Sequence, residues 1–135
     1  MFDKNRKKFD VKIVPMKAIL KLEETKNIVC DLIIEIWRLE NRFKHLENKL
    51  EDNDNKLIRE QIERIKNVLN MHNFEVIDYL GENFTEGMSP RKISEEINPD
   101  KPVEYRKIKD VIRPEIRYKN KIIFHAEIIV ERGTK

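Results

Sequence analysis

The sequence predicts an α+β protein. A long helix and a short helix form a hairpin, two such hairpins from two subunits make a dimeric four-helix bundle, and a small C-terminal β-domain follows. Three observations carry this expectation. Leu22, Val29, Ile36, Phe43 and Leu50 fall seven apart, with Leu32, Leu39 and Leu46 three after the middle members, an a/d seam held over four repeats. A shorter apolar period follows a polar break, and the last forty residues alternate apolar and polar at strand spacing. Of the 135 residues 39% are charged, with 28 basic against 25 acidic, a balance that suits long solvated helix faces.

In chain order, residues 1–21 read as a tail or short strand. Phe9-Asp10-Val11-Lys12-Ile13-Val14 alternates and stops at Pro15, after a basic start. Residues 22–50 read as a helix roughly 43 Å long. Ile28, Ile33, Ile34 and Trp37 widen its stripe beyond a two-stranded seam, so it should pack on more than one helix. Thr25 breaks the first d position. Glu51-Asp52-Asn53-Asp54-Asn55 is a turn in which Asp54 or Asn55 can cap the next helix. Ile58, Ile62, Ile65, Leu69 and His72 then recur at spacings of four and three. One hairpin cannot bury a stripe this wide, whereas two can. The expected dimer interface is Leu22, Val29, Leu32, Ile36, Leu39, Phe43, Leu46, Ile58, Ile62, Ile65 and Leu69, within a helical region 22–73.

The β-domain should span 74–135. Phe74-Glu75-Val76-Ile77 reads as a short strand. Gly81, Gly87 and Pro90 mark one loop, and Asn98-Pro99-Asp100-Lys101-Pro102 another. Pro114 belongs at an edge or a bulge. Ile116 and Tyr118 alternate before a turn at Lys119-Asn120-Lys121. Ile122, Phe124, Ala126, Ile128 and Val130 then share one face, with Ile123, His125, Glu127 and Ile129 on the other.

Composition narrows the chemistry. Lone Cys30 excludes an internal disulfide and a cysteine-based zinc site, and beside the helix stripe it reads as a small buried hydrophobe. Three glycines leave no phosphate-cradling loop. No apolar run nears the roughly 18 residues of a membrane span, and the N-terminus lacks a signal-peptide core, so a soluble cytoplasmic protein is expected. His45, His72 and His125 are scattered without metal-ligand spacing, and no Ser or Cys has a base beside it; neither enzyme, metal nor cofactor is expected. Glu95, Glu96 and Glu104 read as ordinary loop charge. Trp37 and Phe43, at helical spacing, read as core rather than a ligand box.

From Lys101 to Lys121 eight basic residues (Lys101, Arg106, Lys107, Lys109, Arg113, Arg117, Lys119, Lys121) face three acidic ones (Glu104, Asp110, Glu115). Edge-strand protection, phosphate-backbone contact and a patch for an acidic protein surface all account for such a stretch. Only Tyr105 and Tyr118 could stack on bases, which makes nucleic acid the less favoured partner.

Three segments, taken in order, resemble GrpE, the nucleotide exchange factor of the DnaK chaperone. Asp31-Leu32-Ile33-Ile34-Glu35-Ile36-Trp37-Arg38-Leu39-Glu40-Asn41-Arg42-Phe43 is similar to the family's bundle helix, D-L-L-P-V-L-D-N-L-E-R-A-L. Met71-His72-Asn73-Phe74-Glu75-Val76-Ile77 resembles its helix-to-wing junction, K-F-G-V-E-x-I. Tyr118-Lys119-Asn120-Lys121-Ile122-Ile123-Phe124-His125-Ala126-Glu127-Ile128-Ile129-Val130 resembles the wing hairpin, L-N-G-R-x-x-R-P-A-x-V-x-V. The likeness spans about residues 28–130.

It departs where the junction glycine is Asn73, where K-G-Y is Pro114-Glu115-Ile116, and where R-P-A is Phe124-His125-Ala126. Only about thirty residues precede Asp31, so the paired stalk should be short. The resemblance implies a homodimeric co-chaperone whose β-wing binds and opens the nucleotide-binding domain of a DnaK-type ATPase, speeding ADP release. It implies chaperone contacts at Ile112, Lys121 and Val130, to which the basic stretch adds Arg113 and Arg117. The alternative is a GrpE-shaped dimeric scaffold that binds another protein or DNA through the basic wing.

Overall fold

The computed structural model describes residues 16–135, with side-chain burial from residue 22 onward; the expected strand at Phe9–Val14 lies outside the described residues. It is α+β, with two long helices followed by six strands in two small sheets. Helix α1 spans Met16–Leu46 and ends in a 3₁₀ turn, Glu47–Lys49. Residues 16–21, read from sequence as tail or strand, are therefore helical, and Leu50 lies beyond the helix in extended backbone. A boundary between two compact units falls inside α1, after Leu32, so the rest of α1, helix α2 and the β-domain form one unit.

Helix α2 spans Asp52–Met71. Asp52 and Asp54 place negative charge in its first turn, where the helix dipole favours it. Glu51, not Asp54 or Asn55, holds the N-cap position, and without a side-chain cap. Asn55 instead reaches back: its Nδ2 donates to the Glu47 carbonyl at 2.7 Å, tying the new helix to the end of the old one. Lys66 Nζ meets Glu40 Oε1 at 2.8 Å, and Arg59 Nη2 meets Glu47 Oε1 at 3.3 Å. As α1 is followed from Glu40 to Glu47, its partner on α2 steps back from Lys66 to Arg59, so the two helices run antiparallel. Phe43 and Ile62 are buried in this unit.

The helix-to-strand junction turns at Asn73, whose φ is 67°. Asparagine enters the left-handed region more readily than other non-glycine residues. Asn73 thus supplies the left-handed turn between helix and strand.

Strands β1 (Phe74–Ile77), β4 (Glu115–Tyr118) and β5 (Lys121–Phe124) form one antiparallel sheet in the order β1-β4-β5. Lys119 and Asn120, with φ of 50° and 66°, make the two-residue turn between Tyr118 and its partner Lys121. Positive φ at both positions is the type I′ geometry that matches strand twist. Strands β2 (Arg91–Asn98), β3 (Arg106–Arg113) and β6 (Glu127–Gly133) form the second sheet, ordered β2-β6-β3, with β6 parallel to β2 and antiparallel to β3.

Two sequence readings change here. The stretch Ile122–Val130 is not one strand: it breaks at His125-Ala126 and passes from the first sheet to the second. Its inward alternation still holds, for Ala126, Ile128 and Val130 are all fully buried. Glu95 and Glu96 are not loop charge; they lie on β2, which the alternation did not reveal because half of its eight residues are charged. Pro114 is buried between β3 and β4, where its missing N–H ends one ladder as the chain changes sheets.

The core of the β-domain is Tyr79, Phe84, Ile108, Val111, Ala126, Ile128 and Val130, with Trp37, Ile77 and Met88 packed against it. Gly133 ends β6 against the backbone of the 99–105 loop. A Cβ there would lie 1.9 Å from the Pro102 carbonyl oxygen and 2.6 Å from that of Lys101. Both obstacles are backbone, pinned by Lys135 N–H to Lys101 O at 2.8 Å and Gly133 N–H to Tyr105 O at 2.9 Å. Gly133→Ala should therefore destabilise the protein by about 1–3 kcal/mol, the range for overpacking a tight site. Urea denaturation checks this; a midpoint equal to wild type would show that the terminal segment yields freely.

Candidate interaction surfaces

The heptad residues divide into two sets. In the unit after Leu32, Phe43 and Ile62 are 6% and 7% exposed, and Ile36, Ile65 and Leu69 are half-buried. Leu39 and Leu46 are 55% and 47% exposed, and on α2 Leu57, Ile58 and Val68 are also exposed. Part of the hairpin's apolar stripe is thus covered within the chain and part is not. In the unit before it, Leu22 and Leu32 are exposed and Val29 is half-buried. Cys30 is buried there, and burial raises its thiol pKa, helped by Asp31 and opposed by Lys26, so it is a poor nucleophile.

A joint fixes the hairpin to the β-domain. Trp37 packs on the β-domain core, and its Nε1–H donates to Asp78 Oδ2 at 2.8 Å. Asp78 Oδ1 accepts the Leu80 N–H at 2.9 Å, which holds the carboxylate in place. A small hollow beside this joint is lined by Ile33, Ile36, Leu69 and Val76, with Glu40 and Lys66 among its polar neighbours.

Inside the wing lies a polar cluster that the sequence did not single out. Glu115 is fully buried on β4. Its Oε2 accepts from Tyr79 Oη–H at 3.0 Å and from Arg117 Nε–H at 2.8 Å, and its Oε1 accepts from Ser89 Oγ–H at 2.6 Å. These donors come from the loop joining β1 to β2 and from β4 itself, so one carboxylate ties that loop to the first sheet. The signal available in the sequence was a glutamate directly after a proline in an otherwise strand-like stretch, which by itself reads as loop charge.

Half of the basic stretch is neutralised by partners. Arg106 Nη2 lies 3.1 Å from both Glu86 and Glu95, and its guanidinium sits over the Phe84 ring at 4.9 Å. Burial works against the charged form of Glu95, but the Arg106 hydrogen bond and the charges of Lys92, Arg106 and Arg132 outweigh it and hold the carboxyl below its usual range. That contribution to stability is complete above the ordinary glutamate range and is lost on acidification through the lowered pKa. Lys109 pairs with Glu96 and, at 3.8 Å, with Glu131; Arg113 pairs with Glu127 at 3.4 Å. Lys101, Lys107, Lys119 and Lys121 have no ion pair among the described residues.

The five expected contact residues are accordingly dispersed. Ile112 and Arg113 are exposed at the end of β3, and Lys121 is exposed at the start of β5. Arg117 is half-buried and held by Glu115. Val130 is fully buried in the core, because the inward face of the central strand β6 has nowhere else to point; it supports the surface and does not form it. Arg113 does join a shallow cleft between the two sheets, with Arg91, Phe124, His125 and Glu127 along its walls. Its guanidinium lies 5.7 Å from the Phe124 ring centre, and His125 Nδ1 meets the Ser89 carbonyl at 3.0 Å.

Among the described residues no group of three or more His, Cys, Asp or Glu side chains could hold a metal ion, and no helix is long and apolar enough to cross a membrane. No protein-family model matches the chain, and no curated protein matches it.

Proposed function

We propose that the chain is a GrpE-like co-chaperone of the cytoplasm, a homodimer that promotes ADP release from a DnaK-type ATPase by binding and opening its nucleotide-binding domain. The observation that carries the reading is the divided heptad, in which an antiparallel hairpin covers part of its apolar stripe and leaves Leu39, Leu46, Leu57, Ile58 and Val68 exposed. Two copies meeting on that side make the four-helix bundle, because only a matching apolar face removes the row from water. The wing follows directly, oriented by the Trp37–Asp78 joint. Ile112 and Lys121 then supply an apolar contact and a cationic one for an acidic lobe of the ATPase, while Arg113 is already paired with Glu127.

The mechanism is differential binding. A wing that binds the open, nucleotide-free domain better than the closed one shifts the population toward opening, and a preference of about 3 kcal/mol shifts it roughly 100-fold. Release of a fluorescent ADP analogue from a DnaK-type chaperone tests this. The expected result is acceleration that Lys121→Glu reduces. Unchanged release, together with binding insensitive to nucleotide, would rule the function out. The second reading, a dimeric scaffold for another protein or for DNA, is weakened by the pairing of Arg106, Lys109, Arg113 and Arg117 with carboxylates. A steeply salt-dependent shift on duplex DNA would favour it instead.

A further inference from the structure

The two edges of the β2-β6-β3 sheet are finished differently. The free edge of β3 is covered: Gly81 N–H and Phe84 N–H donate to the Ile108 and Arg106 carbonyls at 2.9 and 3.0 Å, and Ile108 N–H donates to Glu82 O at 2.9 Å. Register irregularities do not distinguish the two edges, since β3 carries two and β2 one. Among the described residues the free edge of β2 has no such cover. No backbone hydrogen bond outside its ladder with β6 reaches residues 92–97 among the described residues, and Ile93 and Ile97 are 52% and 62% exposed. An eight-residue edge with two exposed isoleucines is a template for another strand.

The side chains of β2 specify which strand fits. Its register against β6 slips between Lys92 and Ser94, so Ile93 is an extra residue. On either side of it Arg91, Ser94 and Glu96 stand opposite Glu127, Ile129 and Glu131, on one face of the sheet. Lys92 and Glu95 stand opposite Ile128 and Val130, on the other. In an unbroken strand Arg91 and Glu96 would fall on opposite faces, and the bulge brings them to the same one. If a second β2 is laid antiparallel on the first, with the two-fold axis at Ser94, Arg91 of each copy meets Glu96 of the other. Lys92 likewise meets Glu95, on the opposite face. The edge is self-complementary in charge and in facing, with Glu95 and Glu96 shared between these contacts and Arg106 and Lys109 of their own chain.

We propose that β2 is a self-association edge: two copies of this chain pair antiparallel through Arg91–Asn98 and fuse their wing sheets into one of six strands. This contact is separate from the helical seam and does not rest on the co-chaperone reading. It is isologous, as a two-fold contact between identical surfaces must be. Because it is small, it forms and separates with concentration. In the bundle dimer it would join dimers to one another.

The test is cross-linking of the full chain carrying Ser94→Cys under mild oxidation, with Thr85→Cys, on the exposed loop between β1 and β2, as the control. Residues facing each other across a two-fold strand pair lie within disulfide reach. Ser94→Cys should cross-link much faster than Thr85→Cys. Arg91→Glu and Glu96→Lys, each added to Ser94→Cys, should slow cross-linking by about tenfold, since each sets like charges opposite one another. Mixing these two chains should restore it, because each then meets its complement. The same series in a Leu39→Glu, Leu46→Glu background separates this edge from the helical seam, and the ordering should persist there. Equal rates for Ser94→Cys and Thr85→Cys would overturn the proposal, as would failure of the mixture to recover.

Discussion

Glu115→Ala should cost about 3 kcal/mol of folding stability, the upper end for leaving buried donors without their acceptor. The carboxylate is fully buried and holds three donors, from Tyr79, Ser89 and Arg117. Truncation leaves the half-buried guanidinium of Arg117 without its counter-ion and removes the acceptor of two hydroxyls; Tyr79 and Ser89, 3.2 Å apart, can make up only one of those bonds between themselves. That is a large share of the roughly 5–15 kcal/mol typical of a domain. Urea denaturation followed by circular dichroism measures the loss. Adding Arg117→Met to Glu115→Ala should recover part of it, since no charge is then stranded. A loss below about 1 kcal/mol for the single change would mean that water enters and satisfies the donors.

The second large effect concerns the helical face. Leu39→Glu with Leu46→Glu should convert a dimer into a monomer near 16.3 kDa by light scattering, while the circular dichroism of the β-domain persists. Both side chains are about half exposed within the subunit, so charge there costs the isolated fold little. In a bundle they would be buried against a second copy, and two unpaired carboxylates per chain in that seam would raise the dissociation constant by more than about 100-fold. Phe43→Ala provides the contrast. Phe43 is buried within its own unit, so its truncation should lower folding stability by about 3–5 kcal/mol whatever the oligomeric state. A wild-type chain that scatters as a monomer at micromolar concentration, or a double variant that stays dimeric, would remove the bundle.

Much of the architecture was legible because apolar periodicity is a direct record of which faces leave water. The seven-residue spacing through Leu39 and Leu46 marked α1, the four-and-three spacing marked α2, and Phe74–Ile77 coincides with β1. The inward set Ala126, Ile128 and Val130 was likewise visible as alternation. Strand β2 was not legible. An exposed edge strand has little apolar face to record, and Arg91–Asn98 owes its conformation to the ladder with β6.

The candidate surfaces were harder to read for the same reason. Charge in a sequence has sign but no partner. Arg106, Lys109 and Arg113 looked like an open patch until Glu95, Glu96 and Glu127 were brought to them from other strands, and Arg117 pairs with Glu115 of its own strand. Glu115 looked like one more surface carboxylate, and Val130 like a contact, until β4 and β6 were seen to carry both inward.

The sequence by itself determined the helical hairpin, the short β-domain after it and the inward face of its last strand. Each depends on local spacing along one segment. Only the tertiary structure decided which half of the heptad is already covered, which charges cancel, and which sheet edge stays open. Those are properties of pairs of segments far apart in the chain, and no periodicity within either segment encodes them.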